Sequence, residues 1–135
     1  MAQINTNGLY RTFMFAPGNH ARKVEKVFDV GADAVILDLE DAVATNEKIA
    51  TRDFVAAALK APRGPLGYVR VNAYDTEFCY GDAVAIVGPW LDGVILPMVE
   101  SADQLRSFDW LLRNLERKRE LPEGGIDLIP IIETG

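Results

Sequence analysis

Charged side chains close several of the short apolar runs in this chain, and that placement directs attention to their chemistry. Asp38, Glu40 and Asp41 stand at the end of the run AVILDL at 34–39, Arg70 and Asn72 at the end of GYVRVN at 67–72, and Glu133 directly after DLIPII at 127–132. A charge beside a buried apolar run is costly unless it is paired or ligated. Each has an ordinary structural use: Asp41 caps a turn, Arg70 pairs with Asp38 or Glu40, and Glu133 lies in solvent. Their recurrence after successive runs points instead to one shared site. Glu40, Asp41 and Glu133 brought together repel one another. Mg²⁺ relieves that repulsion, because it binds through a few carboxylates and keeps waters and substrate oxygens. Arg70 offers a planar fork for a substrate carboxylate. A cation beside such a fork suits a 2-keto or 2-hydroxy acid, with the metal as Lewis acid on the carbonyl or alkoxide oxygen.

Basic and aromatic groups lie nearer the N-terminus. Arg22 and Lys26 are one helical turn apart, so they share a face that begins just after Pro17-Gly18. That face suits phosphates or is simply solvated. The Pro-Gly turn binds an anion through free backbone N–H groups or serves as a plain strand-to-helix turn. Phe15 covers a flat group or belongs to the core. His20 and Cys79 are the single histidine and cysteine. They exclude an intrachain disulfide and disfavour a Cys/His zinc site, and any catalytic triad would rest on His20, at a helix start.

The elements that position these groups alternate in type. Strands are expected at Arg11–Ala16, Ala34–Leu39, Gly67–Asn72, Gly93–Leu96 and Asp127–Ile132. Between them, helical spacing appears over His20–Val30, with Gly31 ending it, and from Thr45 or Asn46 as cap to about Lys60, with Ala50, Phe54, Ala57 and Ala58 on one stripe. A short helix fits Asp82–Val87. Ser101 and Gln104 have capping-box form ahead of a helix that buries Leu105, Phe108, Leu111, Leu112 and Leu115 and exposes a charged end, Arg113 to Glu120. This is the rhythm of a parallel α/β sheet. The two candidates are a five-stranded doubly wound sheet and a (β/α)8 TIM barrel, which needs roughly 250 residues. No GxGxxG or Walker loop supports the former.

Composition narrows the partners. The chain has 135 residues, 20 acidic against 14 basic, with a net charge of −6, so nucleic acid is an unsuitable partner. No apolar run reaches the roughly 18 residues of a membrane helix. Met1–Tyr10 is polar and lacks an apolar signal core, so a cytoplasmic protein is expected.

Arg11–Asn19 (RTFMFAPGN) followed by Gly31–Val43 (GADAVILDLEDAV) strongly resembles the citrate lyase β-subunit-like family of malyl-CoA, citramalyl-CoA and citryl-CoA lyases. That family sits in the HpcH/HpaI aldolase group of the phosphoenolpyruvate/pyruvate barrel superfamily. The likeness continues through Glu47-Lys48, Val69–Asn72, Leu96-Pro97, Val99–Ala102 and Ile131–Thr134. It implies a (β/α)8 barrel of which this chain holds the first five strands, with residues 1–10 as an N-terminal extension and 11–135 as the N-terminal part of the lyase domain. It implies Mg²⁺, or Mn²⁺, with Glu133 as one metal carboxylate and an Asp one βα unit beyond Gly135 as the other. Arg70 matches the Arg that binds the acid substrate, and Glu40 and Asp41 the carboxylates that order metal waters and substrate. Phe15, Arg22 and Lys26 match positions that contact the CoA thioester. The implied reaction is reversible retro-Claisen cleavage of a 3-hydroxyacyl-CoA to acetyl- or propionyl-CoA and a 2-keto acid, in a homo-oligomer, trimer or hexamer. Met98 departs from the pattern, since many members carry Lys there, and a C-terminal acid/base Asp of malyl-CoA lyase relatives also lies beyond this chain. The alternatives are a CoA-independent pyruvate-type class II aldolase and a catalytically inactive truncated subunit.

Overall fold

Short apolar runs become five strands, the first four each followed by a helix. A computed structural model describes residues 11–133; the extension at 1–10 lies outside the described residues, as do Thr134 and Gly135. The elements are β1 (Phe13–Pro17), α1 (Ala21–Val27), β2 (Ala34–Asp38), a 3₁₀ turn (Thr45–Glu47), α2 (Lys48–Lys60), β3 (Leu66–Arg70), α3 (Cys79–Ile86), β4 (Gly93–Leu96), α4 (Ala102–Lys118) and β5 (Asp127–Pro130).

The strands form one parallel sheet in the order β1-β2-β3-β4-β5. Sequence neighbours are therefore sheet neighbours throughout. Right-handed crossovers between such neighbours put every helix on the same face. A doubly wound sheet instead reverses its strand order and carries helices on both faces. The unbroken order excludes that alternative and leaves a partial TIM barrel.

Side chains alternate between two cores, as the period of a strand requires. Val35, Leu37, Val69, Val94 and Leu96 pack outward against Val24, Val55, Leu59, Phe108 and Leu112 of the helices. Ala34, Ile36, Tyr68 and Ile95 form the inner cluster with Phe13, Ile129 and Ile131. Burial on both faces explains the unbroken apolar run of β2, all of whose residues are buried.

Four expectations need correction. The buried face of α2 is Lys48, Thr51, Val55, Ala56 and Leu59, not the alanine stripe; the larger Val55 and Leu59 win the core and turn Ala50, Phe54 and Ala57 outward. Neither Thr45 nor Asn46 caps α2, which is entered through the 3₁₀ turn. Helix α3 begins at Cys79, which brings Asp82 inside it and buries it completely. Strand β5 ends at Pro130 and is only half-buried, because among the described residues β4 is its one neighbour. The capping box forms in part: Ser101 Oγ accepts from Gln104 N at 3.2 Å, while Gln104 Oε1 accepts at 2.9 Å from the amide of Glu100, the residue before the cap, rather than from that of Ser101. Among the described residues no helix is long and apolar enough to cross a membrane.

Candidate active site

Asp38, the last residue of β2, is the hub. Its register partners are Pro17 on β1 and Arg70 on β3, so all three share the carboxyl end of the sheet. Arg70 donates from Nε to Asp38 Oδ1 and from Nη2 to Oδ2, both at 2.8 Å. The same oxygens accept the amides of Glu40 and Ala42, each at 2.9 Å. An aspartate that takes main-chain N–H groups two and four residues on shapes its own loop. Burial works to raise the Asp38 carboxyl, but the Arg70 hydrogen bond, the two amides and the Arg70 charge outweigh it, so Asp38 is held below the ordinary aspartate range. The Asp38 hydrogen bond in turn keeps Arg70 firmly protonated.

Glu40 faces different forces. Its Oε1 lies 3.5 Å from Arg70 Nε. Burial pushes its carboxyl up; Arg70 opposes, and the charges of Asp38, Asp41 and Glu133 add to the rise. Glu133 therefore lies close enough for its charge to be felt at Glu40, and Asp41 does too. Asp41 and Glu133 are both exposed; Glu133 follows a half-buried edge strand rather than ending a buried one. The Phe15 ring lies under the Arg70 guanidinium, 4.9 Å from Cζ, in a cation–π contact. Phe15 is half-exposed and so is not core.

The sequence-derived candidates thus divide. Phe15, Glu40, Asp41, Arg70 and Glu133 gather at one end of the sheet. Arg22 and Lys26 lie exposed on α1, whose Val24 and Val27 face the core, and make no ion pair among the described residues. The Pro-Gly turn is structural: the Gly18 amide donates to Asp38 O at 2.8 Å, and a Cβ at Gly18 would meet that oxygen at 2.6 Å. His20 Nδ1 caps α1 by accepting from Lys23 N. The Cys79 thiol is buried and pushed up to about 12, chiefly by burial, so it is no nucleophile. Sequence reasoning misses Lys48 and Asp82 and gives no role to Asn72, and these three form a buried polar chain beneath the acidic loop. For Lys48 the signal is a charged residue in helical register with Thr51, Val55 and Leu59 on α2.

A recess of about 220 Å³ is lined by Phe15, Ala16, Pro17, Asp38, Ala42 and Arg70. A larger one, about 620 Å³, lies over α3 and α4 against Tyr74, Tyr80, Phe108 and Trp110; the smaller recess is the one that opens beside the Asp38–Arg70 pair. Among the described residues no three His, Cys, Asp or Glu side chains converge tightly enough to cage a metal. The acid surplus around Glu40 nonetheless fits Mg²⁺, a hard ion that binds through one or two carboxylates and keeps its waters. Asp38 supplies Arg70 with one partner edge; among the described residues Nη1 has none within hydrogen-bond distance, which leaves that edge for a second carboxylate.

Comparisons with known proteins agree with this geometry. A family model described as HpcH/HpaI aldolase/citrate lyase matches residues 11–135. The citrate lyase subunit beta of Leuconostoc mesenteroides subsp. cremoris is 34% identical over 97% of this chain and 44% of its own. A (3S)-malyl-CoA thioesterase of Cereibacter sphaeroides is 40% identical over 73% of this chain and 35% of its own. The chain thus spans less than half the length of these curated relatives. Among solved structures, the citrate lyase beta subunit of M. tuberculosis complexed with oxaloacetate and magnesium is 29% identical, with a TM-score of 0.71, over 98% of this chain and 51% of that one. Haloferax volcanii malate synthase, at 20% identity, shares the fold with a TM-score of 0.84 over 94% of this chain and 43% of that one. By its sequence from 11 to 135 and by its fold, this chain belongs to the HpcH/HpaI aldolase/citrate lyase family.

Proposed function

We propose that the protein carrying this chain is a Mg²⁺-dependent carbon–carbon lyase. Its substrate is a 3-hydroxyacyl-CoA of the citryl, malyl or citramalyl type, and its products are acetyl- or propionyl-CoA and a 2-keto acid. The observation that carries the reading is an acid surplus around one arginine: Glu40, with its carboxyl raised by burial and by three neighbouring acids, beside an Arg70 whose second edge is open. In the cleavage the 3-hydroxyl loses its proton to a base, the C2–C3 bond breaks, and its electron pair passes to the thioester as an enolate, which is then protonated. When bound, Mg²⁺ polarises the oxygen that becomes the keto group. The open edge of Arg70 holds the substrate carboxylate, with Phe15 as one wall. Glu133 contributes a metal carboxylate, and Glu40 and Asp41 order the surrounding waters. Arg22 and Lys26 receive the phosphates of CoA. A homo-oligomer, trimer or hexamer, is part of the same reading and is checked by light scattering.

The test is release of 2-keto acid from each acyl-CoA by the full-length protein, with Mg²⁺ and with a chelator. Release should require the metal, and Glu133→Gln should weaken Mg²⁺ affinity at least about tenfold. Equal rates in chelator, or unchanged affinity in the variant, would refute it. A second reading, favoured by the likeness to a malyl-CoA thioesterase, is hydrolysis of the thioester at the same site; free CoA released with no 2-keto acid would select it. Keto acid formed only from substrates without CoA would select the aldolase.

A further inference from the structure

Lys48 is buried, yet its ammonium meets no carboxylate among the described residues. Nζ donates to Leu39 O at 3.1 Å, to Glu40 O at 2.7 Å and to Asn72 Oδ1 at 2.7 Å. These account for all three ammonium donors. A buried cation held by neutral acceptors is costly to keep and calls for a physical use.

The acceptors suggest that use. Two of them are consecutive main-chain carbonyls. In an extended strand such carbonyls point to opposite sides, so their convergence on one cation requires the chain to leave β2 at this point. Asp38 grips the same loop by the opposite polarity, taking the amides of Glu40 and Ala42. The loop that carries Glu40 and Asp41 is thus clamped between an anion holding its N–H groups and a cation holding its C=O groups.

The clamp is braced from behind. Asn72 donates from Nδ2 to Leu39 O at 3.1 Å and to Asp82 Oδ2 at 2.7 Å, and its amide donates to the same Asp82 oxygen at 2.8 Å. Asp82 Oδ1 accepts from Arg52 Nε at 2.8 Å. Arg52 lies one turn along α2 from Lys48, and its Nη2 donates to Phe78 O at 3.0 Å. The Phe78 ring also faces Lys48, 5.9 Å from Nζ. Helices α2 and α3 and the ends of β2 and β3 are thereby joined to one loop.

We propose that Lys48 is a positioning residue: its ammonium holds the loop after β2 so that Glu40 and Asp41 are presented in one arrangement at the carboxyl end of the sheet. The proposal deepens the lyase reading and rests on it for kinetics, while its effect on the loop is independent of any activity.

The experiment compares the full-length wild type with Lys48→Met and Lys48→Arg by residue-resolved amide hydrogen exchange and by steady-state kinetics. Lys48→Met removes the charge at similar length. It should speed exchange of the amides at 40–43 by at least about tenfold relative to those of α4, the scale of losing charge-assisted hydrogen bonds. It should lower kcat by a similar factor with little change in KM for the acyl-CoA. Lys48→Arg keeps a cation, but its planar fork cannot converge three bonds on these acceptors, so it should fold and still show a raised loop-to-α4 exchange ratio. If Lys48→Met fails to fold, that ratio in Lys48→Arg decides the matter. A ratio within twofold of wild type, or a loss of protection spread evenly over loop and α4, would overturn the proposal. An inactive wild type whose variants loosen the loop as expected would refute the lyase reading and leave the positioning role standing.

Discussion

Two buried carboxylates in this molecule are satisfied in the same way at different places. Asp38 takes the Arg70 fork and the amides of Glu40 and Ala42. Glu116, on the last turns of α4, takes Arg113 at 2.7 Å and the amides of Gly124 and Ile126 at 2.9 and 2.8 Å. In each case an acid joined to an arginine folds a loop around itself. Asp38 does this where the chain leaves β2; Glu116 does it where the chain approaches β5. Glu116 is wholly buried, which corrects the expectation of an exposed charged end to α4. The two regions differ in what remains unpaired. Around Glu116 each carboxylate meets the same arginine, since Arg113 also meets Asp109 at 3.0 Å. Around Asp38 there is surplus acid in Glu40, Asp41 and Glu133, and the charges of Asp38, Asp41 and Glu133 add to the burial that raises the Glu40 carboxyl. An arginine–carboxylate pair therefore serves as scaffolding in both regions, and excess like charge beside one of them is what singles out the candidate site.

Breaking either pair should produce the largest effect. Asp38→Ala and Glu116→Ala each remove the carboxylate from two loop amides and from one side of a half-buried arginine, which keeps Glu40 or Asp109 as its remaining acid, and each should lower unfolding free energy by about 2–4 kcal/mol in a urea titration. A loss below about 1 kcal/mol at either position would mean that water replaces the carboxylate there.

Activity should separate the two regions next. Arg70→Lys keeps charge but loses the fork, and should cost about 2–3 kcal/mol in kcat/KM of the full-length protein. Arg113→Lys should cost stability while leaving kcat/KM within about twofold, on the scale of a remote substitution. Equal kinetic losses would erase the distinction between scaffold and site.

Acid should weaken the upper pair. Asp38 is held below the ordinary range in the folded state, so its stabilisation is present above the unfolded value and is lost as pH falls through the folded one. Stability measured by urea unfolding between pH 6 and about 2.5 should therefore fall less steeply in Asp38→Asn than in wild type. A parallel slope would assign the acid loss to other carboxylates.

The smallest effect belongs to Glu40. Its carboxyl is raised, so its contribution is favourable at low pH and is lost as pH rises through the folded value. Glu40→Gln should consequently stabilise the protein at neutral pH, on the order of 0.5 kcal/mol. Destabilisation would show that the Arg70 attraction outweighs burial and the three acids together.

Much of the architecture is legible in the sequence. The strands were recognisable because a parallel strand covered on both faces leaves an unbroken apolar run, and the helix at 102–118 because its Leu and Phe spacing and Ser101 cap act locally. The acids and the arginine of the site were visible because charge rarely follows such runs. Helix α2 was misplaced on its face because two apolar stripes compete there, and only packing against β2 and β3 chooses Val55 and Leu59.

What the sequence alone determined is the set of groups and their order: which polar side chains follow each apolar run, and that the strands run parallel. Tertiary structure alone decided their pairing. Whether Arg70 met Asp38 or Glu40 depended on the β2–β3 register, which sets Asp38 directly beside Arg70. Whether Lys48 and Glu116 lay in water or in the core depended on loops from distant positions bringing carbonyls and amides to them. Such partners lie 8 to 24 residues away along the chain, beyond the reach of helical or strand periodicity. A buried charge is decided by whether acceptors or donors arrive to meet it, and that is a property of the folded chain.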